Sequence, residues 1–372
     1  MVSSVLRTLF GLGLLALPAF AHVQAAEVKR PGNAAAAISL GLIASDATGT
    51  ETALAAEMAE LFAAGPSLRV SPKPGDGGRN NLVRLLTEPG IDVAFVSTDA
   101  LLDTGTHELD SSLPGRIELV ARLGPEEIHV VARQDVAELA DLAGRKVNFG
   151  PAGGSSAVTA ERLFKTLNIQ VEPRALGPRA ALAQLQRGAI DAAVVVGGKP
   201  EPLIGKIPSG LGIHLLPIPF AAAVENSYLP ARFEHDDYPN LIETETSVPS
   251  LATGMVLLAA RGKNDQGSAG RVAGFIETLF SRFGELERPG HHPKWREINL
   301  AATLPGLTRA AAADAWIARR PIEDSSHVAV NGSPVGISVE ASAAGAASLP
   351  MSQGQRDALF KGFVEWQRAK RH

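Results

Sequence analysis

Val147-Asn148-Phe149-Gly150-Pro151-Ala152-Gly153-Gly154-Ser155-Ser156-Ala157-Val158-Thr159-Ala160 changes its period within one short run. An apolar strand stops at Phe149, glycines let the backbone turn tightly, and serines cap a helix expected over Ala157 to Leu167. A strand feeding a helix through a glycine-rich loop is the unit of an α/β layer with a mostly parallel sheet. The start of such a helix leaves N–H groups unpaired and carries a partial positive charge. With the hydroxyls of Ser155 and Ser156 beside it, it accepts a carboxylate, phosphate or sulfate without a lysine. The same residues also serve as an ordinary Gly-Ser helix cap.

The alternation extends to both sides of this run. Upstream, Ile117 to Arg122, Ile128 to Ala132 and Lys146 to Phe149 read as strands, with a short helix at Val136 to Leu142. Downstream, a helix over Ala180 to Arg187 precedes a strand at Ala192 to Val196. Nearer the N-terminus the order is similar: strands at Ala37 to Ala44, Leu68 to Val70 and Ile91 to Val96, with helices at Glu51 to Ala63 and Asn80 to Thr87. Leu54, Met58, Leu61 and Phe62 fall on one face of the first helix. Two such blocks in series, with no fixed-period repeat, predict two α/β lobes facing each other across a cleft.

Beyond Pro200 the pattern is less regular. Strands at Ile213 to Ile218 and Thr253 to Ala260 return the chain to the first lobe, and helices are expected at Gly270 to Phe283 and Leu307 to Arg319. Ser325 to Ala347 is rich in Ser, Gly and Ala, and Gln353 to Lys370 is a last amphipathic helix with a packing face. The expected partition is a leader over 1–26, a first part of lobe one over 27–125, and lobe two over 126–214. Residues 215–321 return to lobe one, and 322–372 form a C-terminal extension.

The leader rests on Arg7, the apolar run Leu9 to Leu17, Pro18 and the small-x-small pattern Ala19-Phe20-Ala21. That run is about ten residues, short of the roughly 20 needed to span a bilayer. The expectation is a signal peptide, a periplasmic mature chain and no stable membrane insertion after cleavage. With no cysteine, disulfides, thiolate metal sites and lipid attachment to cysteine are excluded. A net charge of −4 offers no basic field for nucleic acid, and 5% aromatics are too few for stacking platforms. About 345 residues after the leader are comfortable for two domains, expected to act as a monomer.

Small polar residues cluster where open α/β sheets bind ligands, at the C-terminal edges of strands. Thr48, Gly49 and Thr50 open one helix, Gly78 and Asn81 another, and Ser97 and Asp99 follow a third strand. Gly154, Ser155, Ser156 and Gly198 hold the corresponding places in the second block. Lys199 either neutralises a second anionic group or is a plain surface lysine.

Chemistry finds no such anchor. There is no Gly-x-Ser-x-Gly elbow, and the loop at 150–156 lacks the Gly-Lys-Ser/Thr ending of a P-loop. His291 and His292 are adjacent rather than four apart, and Glu234-His235-Asp236-Asp237 reads as a solvated acidic turn. The expectation is a binder, not an enzyme, with neither cofactor nor metal.

Taken together, several stretches resemble the TAXI-type solute-binding subunits of tripartite (TRAP) transporters. They are Arg122-Leu123-Gly124-Pro125-Glu126-Glu127-Ile128-His129, Leu139 to Val147, the glycine-serine loop, Gly188 to Ala193 and Gly198-Lys199-Pro200. The resemblance runs from about Ala36 to Pro321. It implies a type II periplasmic solute-binding fold, two α/β lobes on a hinge, closing on a small organic anion such as a dicarboxylate or amino acid. The partner implied is a TRAP-type membrane permease; the alternative is a ligand-sensing or partner protein on the same fold, feeding a signalling system through a sensor protein rather than transport. The family's binding loops map onto Thr48 to Thr52, Gly77 to Asn81, Ser97 to Asp99, Gly153 to Thr159 (hence Thr159) and Gly198. Where the family commonly has Gly-Thr-Tyr-Tyr, this chain has Gly49-Thr50-Glu51-Thr52, and Gly77-Gly78 replaces a Gly-Ser.

Overall fold

The computed structural model describes residues 38–45, 49–65, 68–102, 109–262 and 267–319. The expected leader, Thr48, the extension 322–372 and its helix lie outside the described residues.

The chain begins as β1 (Ile38–Ile43), α1 (Thr50–Ala63), β2 (Leu68–Lys73), α2 (Gly78–Thr87) and β3 (Val93–Ser97), with β1 parallel to both β2 and β3. β4 (Ile117–Arg133) then crosses to the second lobe. There β5 (Lys146–Asn148), α3 (Ser155–Thr166), β6 (Glu172–Arg174), α4 (Pro178–Gln186) and β7 (Ala192–Gly197) rebuild the alternation, with β5 parallel to β6 and β7. β8 (Ile213–Leu215) and β9 (Leu229–Glu234) follow, and β10 (Ser247–Ala260) crosses back. The helices α5 (Ser268–Ser281), α6 (Phe283–Leu286) and α7 (Ala311–Ala318) close the first lobe.

The strand order is β2-β1-β3-β10-β4-β7-β5-β6, with β8 beside β4 and β9 beside β10. β10 lies antiparallel between β3 and β4, so a late strand completes the first sheet. This mixed α/β arrangement on a curled sheet is the type II periplasmic-binding fold. The two-residue period of β10 supplies both faces of the first lobe. Met255, Leu257 and Ala259 join the core under α1 and α5, and Val256 and Leu258 join the one under α2. Asp92 fastens α5 to this sheet by accepting bonds from the Gly41 amide, the Ser268 hydroxyl and the Arg271 guanidinium.

The structure differs from the sequence reading in instructive places. Strands expected separately at 117–122 and 128–132 are one continuous β4. Pro125 sits within it at a register shift opposite Gly254, where a bulge spares the sheet the missing N–H. β6 and β9 were not expected; both are edge strands containing proline, which masks their period. The return to the first lobe does not begin at 215. Leu216, Ile218, Val224, Tyr228, Phe233 and Tyr238 all pack in the second lobe's cores, so the chain crosses only within β10. Residues 307–310 precede α7 as an extended segment bridging Leu119 to Arg309.

Candidate functional site

A cleft opens between the lobes at the C-terminal ends of the parallel strands, with about 560 Å³ of empty space counted out to solvent. Gly49, Thr50 and Glu51 line it from the start of α1, and Asp76 from the loop before α2. Gly154, Ser155 and Ser156 face it from the start of α3, and Val195, Val196 and Gly197 from the end of β7. Glu126, in the crossing strand β4, and Glu201, just beyond β7, complete its polar lining.

The serines do not cap α3 as expected. Gly154 is the N-cap, and no side chain caps the helix. Ser156 Oγ instead accepts the Val196 amide at 3.0 Å, which ties α3 to β7 and leaves the hydroxyl hydrogen for a ligand. Ser155 Oγ is buried without a hydrogen-bond partner, in a residue only 6% exposed. Such an orphan costs free energy that a bound acceptor or donor would recover.

The lobes already touch through these loops. The Ser155 amide donates to the Asp76 carbonyl at 3.1 Å, and the Asn80 amide to the Gly153 carbonyl at 3.1 Å. The Thr50 hydroxyl reaches the Gly198 carbonyl at 2.9 Å and Glu201 Oε2 at 3.2 Å. Thr159 donates to Asp99 Oδ2 at 2.7 Å. Gly78 sits at φ +54°, and a Cβ there would lie 2.6 Å from the Gly154 carbonyl carbon. The absent side chain lets the two backbones meet.

The structure therefore gathers Gly49, Thr50, Gly154, Ser155 and Ser156 on the cleft, with Gly78 and Gly198 at its seam. Five other residues that the sequence singled out sit elsewhere. Asn81 is fully buried, donating to the Ala44 and Phe95 carbonyls and accepting the Gly77 amide, which pins the loop before α2. Ser97 is buried inside the first lobe. Asp99 and Thr159 bond each other between the lobes, outside the lining of the cleft. Lys199 points away, to Asp237 at 3.1 Å and the Arg232 carbonyl, so it offers the cleft no charge.

What sequence reasoning missed is a set of buried charges. Glu126 and Glu127 are 1% and 3% exposed, and Lys294 is 1% exposed. Lys294 Nζ holds Glu127 Oε1 and Glu297 Oε2, each at 2.8 Å. Burial works to lower the Lys294 ammonium, but the two carboxylates outweigh it and hold it above its ordinary value. Glu126 lines the same cleft as Glu51. Burial, then the Glu51 charge, push its carboxyl well above the usual range. One sequence signal was available: two consecutive glutamates inside an apolar run, a costly placement unless used.

A carboxyl raised in the folded state holds its proton more tightly there than in the unfolded chain. Stability should therefore fall as pH climbs from the ordinary glutamate range through the elevated value of Glu126. Glu126→Gln should flatten that decline and add about 0.5–2 kcal/mol near neutral pH. Urea titrations of both proteins on either side of the transition check this, and a less stable variant would contradict it.

A neutral relay orients the cleft wall. Burial lowers the His129 imidazole to about 3, so it stays uncharged. Its Nδ1–H donates to the Val195 carbonyl, and Nε2 accepts the Tyr238 hydroxyl at 2.6 Å. Tyr238 in turn accepts the Glu201 amide at 2.8 Å. Val195 and Glu201, both on the cleft, are thus fixed through one buried ring.

Among the described residues no group of His, Asp and Glu is arranged to hold a metal ion, and no helix is long and apolar enough to cross a membrane. A sequence model of the NMT1-like family matches residues 43–300, which take in both lobes and every residue described at the cleft. The chain belongs to the NMT1-like family. Solved structures similar to this NMT1-like chain include the regulatory domain of Synechocystis PCC6803 CcmR in complex with 2-PG. It is 12% identical, at TM-score 0.38, over 64% of this chain and 95% of that one. The BenM effector-binding domain with benzoate is 14% identical, at TM-score 0.39, over 69% and 98%. An amino acid ABC transporter substrate-binding protein, AbpA of Streptococcus pneumoniae, bound to L-arginine, is 15% identical, at TM-score 0.36, over 67% and 91%.

Proposed function

We propose that this NMT1-like chain is a periplasmic solute-binding receptor of the TAXI type, which captures a small carboxylate-bearing solute between its lobes and presents it to a TRAP-type permease. The observation that carries the reading is the α3 N-terminus at the cleft. There the buried Ser155 Oγ makes no bond and Ser156 keeps a hydroxyl hydrogen to give. Hydrogen bonds from Thr50 and Ser155 to the opposite lobe give closure a mechanism. In this reading the site binds and orients its solute and releases it unchanged.

A thermal-shift screen over organic acids, amino acids and inorganic anions tests this. A ligand at a hundredfold its dissociation constant adds about 2.7 kcal/mol. A screen without a single stabilising compound would sink the receptor reading. Ser156→Ala should weaken a carboxylate ligand while leaving the unliganded melting temperature within a few degrees. Unchanged affinity would move the carboxylate away from α3.

A further inference from the structure

The cleft that receives the solute is acidic. Asp76, Glu51, Glu126 and Glu201 line it, and among the described residues no lysine, arginine or histidine does. The nearest buried cation, Lys294, is committed to Glu127 and Glu297. One helix N-terminus offers about half a positive charge, which does not balance these carboxyls.

Glu51 and Glu126 are 2% and 1% exposed and reach the cleft from different elements, α1 and β4. Two buried carboxyls on one cleft repel when both are charged, so burial and then the Glu51 charge favour the protonated form of Glu126. Glu126 Oε2 makes no hydrogen bond in the geometry seen, and neither does Ser155 Oγ on the same cleft. These are two buried orphan oxygens from separate elements. A group able to satisfy an acidic pair needs several N–H donors and a positive charge. An ammonium has three donors on one centre, and an amidinium presents a planar fork.

We infer that the solute carries a cationic nitrogen group, an ammonium or amidinium, and that Glu51 and Glu126 are the residues that receive it. The inference rests on the receptor reading and narrows its solute from an organic anion to one bearing a positive end. Binding then exchanges cations. The nitrogen group enters and the proton held by Glu126 leaves to solvent, so charge balances. Glu127 on the same strand, Glu201 beyond β7, Asp76 before α2 and Lys294 are the other charged groups facing this pair or its cleft. Lys294 favours ionisation of the pair, and Glu127 opposes it.

The experiment uses the full chain and three matched probes: butyrate, 4-aminobutyrate and butylammonium, with succinate as a second amine-free acid. Binding is read by calorimetry and thermal shift. The expected result is binding of the amine-bearing probes with release of a proton, detected by comparing buffers of different ionisation heat. Affinity should rise with pH, and Glu126→Gln should weaken these probes at least tenfold. Glu51→Gln is the second variant should Glu126→Gln fail to fold. Butyrate or succinate binding as tightly as 4-aminobutyrate, or unchanged amine affinity in a folded variant, overturns the inference and leaves the receptor reading standing. No binding by any probe, with no hit in the wider screen, removes both.

Discussion

Lys294→Ala should cost the protein about 3–5 kcal/mol, the usual penalty for removing one partner of a buried ion pair. That is a large share of the 5–15 kcal/mol by which domains are typically stable. The penalty arises from what stays behind. Glu127 is 3% exposed, adjoins Glu126 on β4, and would lose its ammonium partner at 2.8 Å. Glu297 is more exposed and can turn to water. Packing contributes as well, because the Lys294 stem lies against Gly198 closely enough that a Cβ there would be 2.7 Å from its Cε. Lys294→Met keeps most of that stem and isolates the charge, and pairing it with Glu127→Gln should recover much of the loss. Urea denaturation near pH 7 measures all three. The penalty should shrink in acid, where the glutamates take up protons. A cost below about 1 kcal/mol for Lys294→Ala would show that water reaches Glu127.

Gly78→Ala should abolish closure. The residue has φ +54°, where an L side chain costs roughly 1–2 kcal/mol. The larger effect is steric. Its Cβ would lie 2.6 Å from the Gly154 carbonyl carbon and 2.7 Å from the Ser155 nitrogen, backbone atoms of the opposite lobe that no rotamer change can move. Relief requires the loops to part, which breaks the Ser155 to Asp76 hydrogen bond. The expected result is a larger radius of gyration in solution scattering and at least a tenfold loss of solute affinity. Gly90→Ala is the control. It has φ +78° and nothing within 4 Å of a Cβ, so it carries the backbone strain alone and should bind normally. Equal affinity in Gly78→Ala and Gly90→Ala would show that the loop contact seen here is not the one a ligand uses.

The local units of this fold were legible because they depend on short-range periodicity. α1 and α3 appear within two residues of where the spacing of apolar side chains puts them. The loops at 49–50 and 154–156 reach the cleft for the same reason, since a strand must deliver its next turn to the sheet's C-terminal edge. What was illegible is what topology decides. Glu51 and Glu126 are far apart in sequence and meet only because β10 brings the β4 side of the sheet beside β3. Asn81 reads as a ligand donor from its loop, but its amide can equally bind backbone, and the buried carbonyls of Ala44 and Phe95 claim it. Ser97 follows the right strand yet is buried, and Asp99 is taken up by Thr159 of the opposite lobe. Alternation along one residue separates cleft from core, and a loop's sequence does not encode that choice.

β10 also governs when the molecule can assemble. Val256 pairs with Val96 on one side and Arg122 on the other, so β3 and β4 have no direct ladder between them. Until residue 260 has been synthesised, the early strands lack the neighbour that joins them. Contacts of such long sequence separation carry a heavy loop-closure cost and make folding slow. A nascent chain of this design stays open for most of its synthesis. Fragments ending before β10 should display unpaired strand edges and fall to proteolysis or aggregation, whereas the finished chain can join its two lobes through that strand.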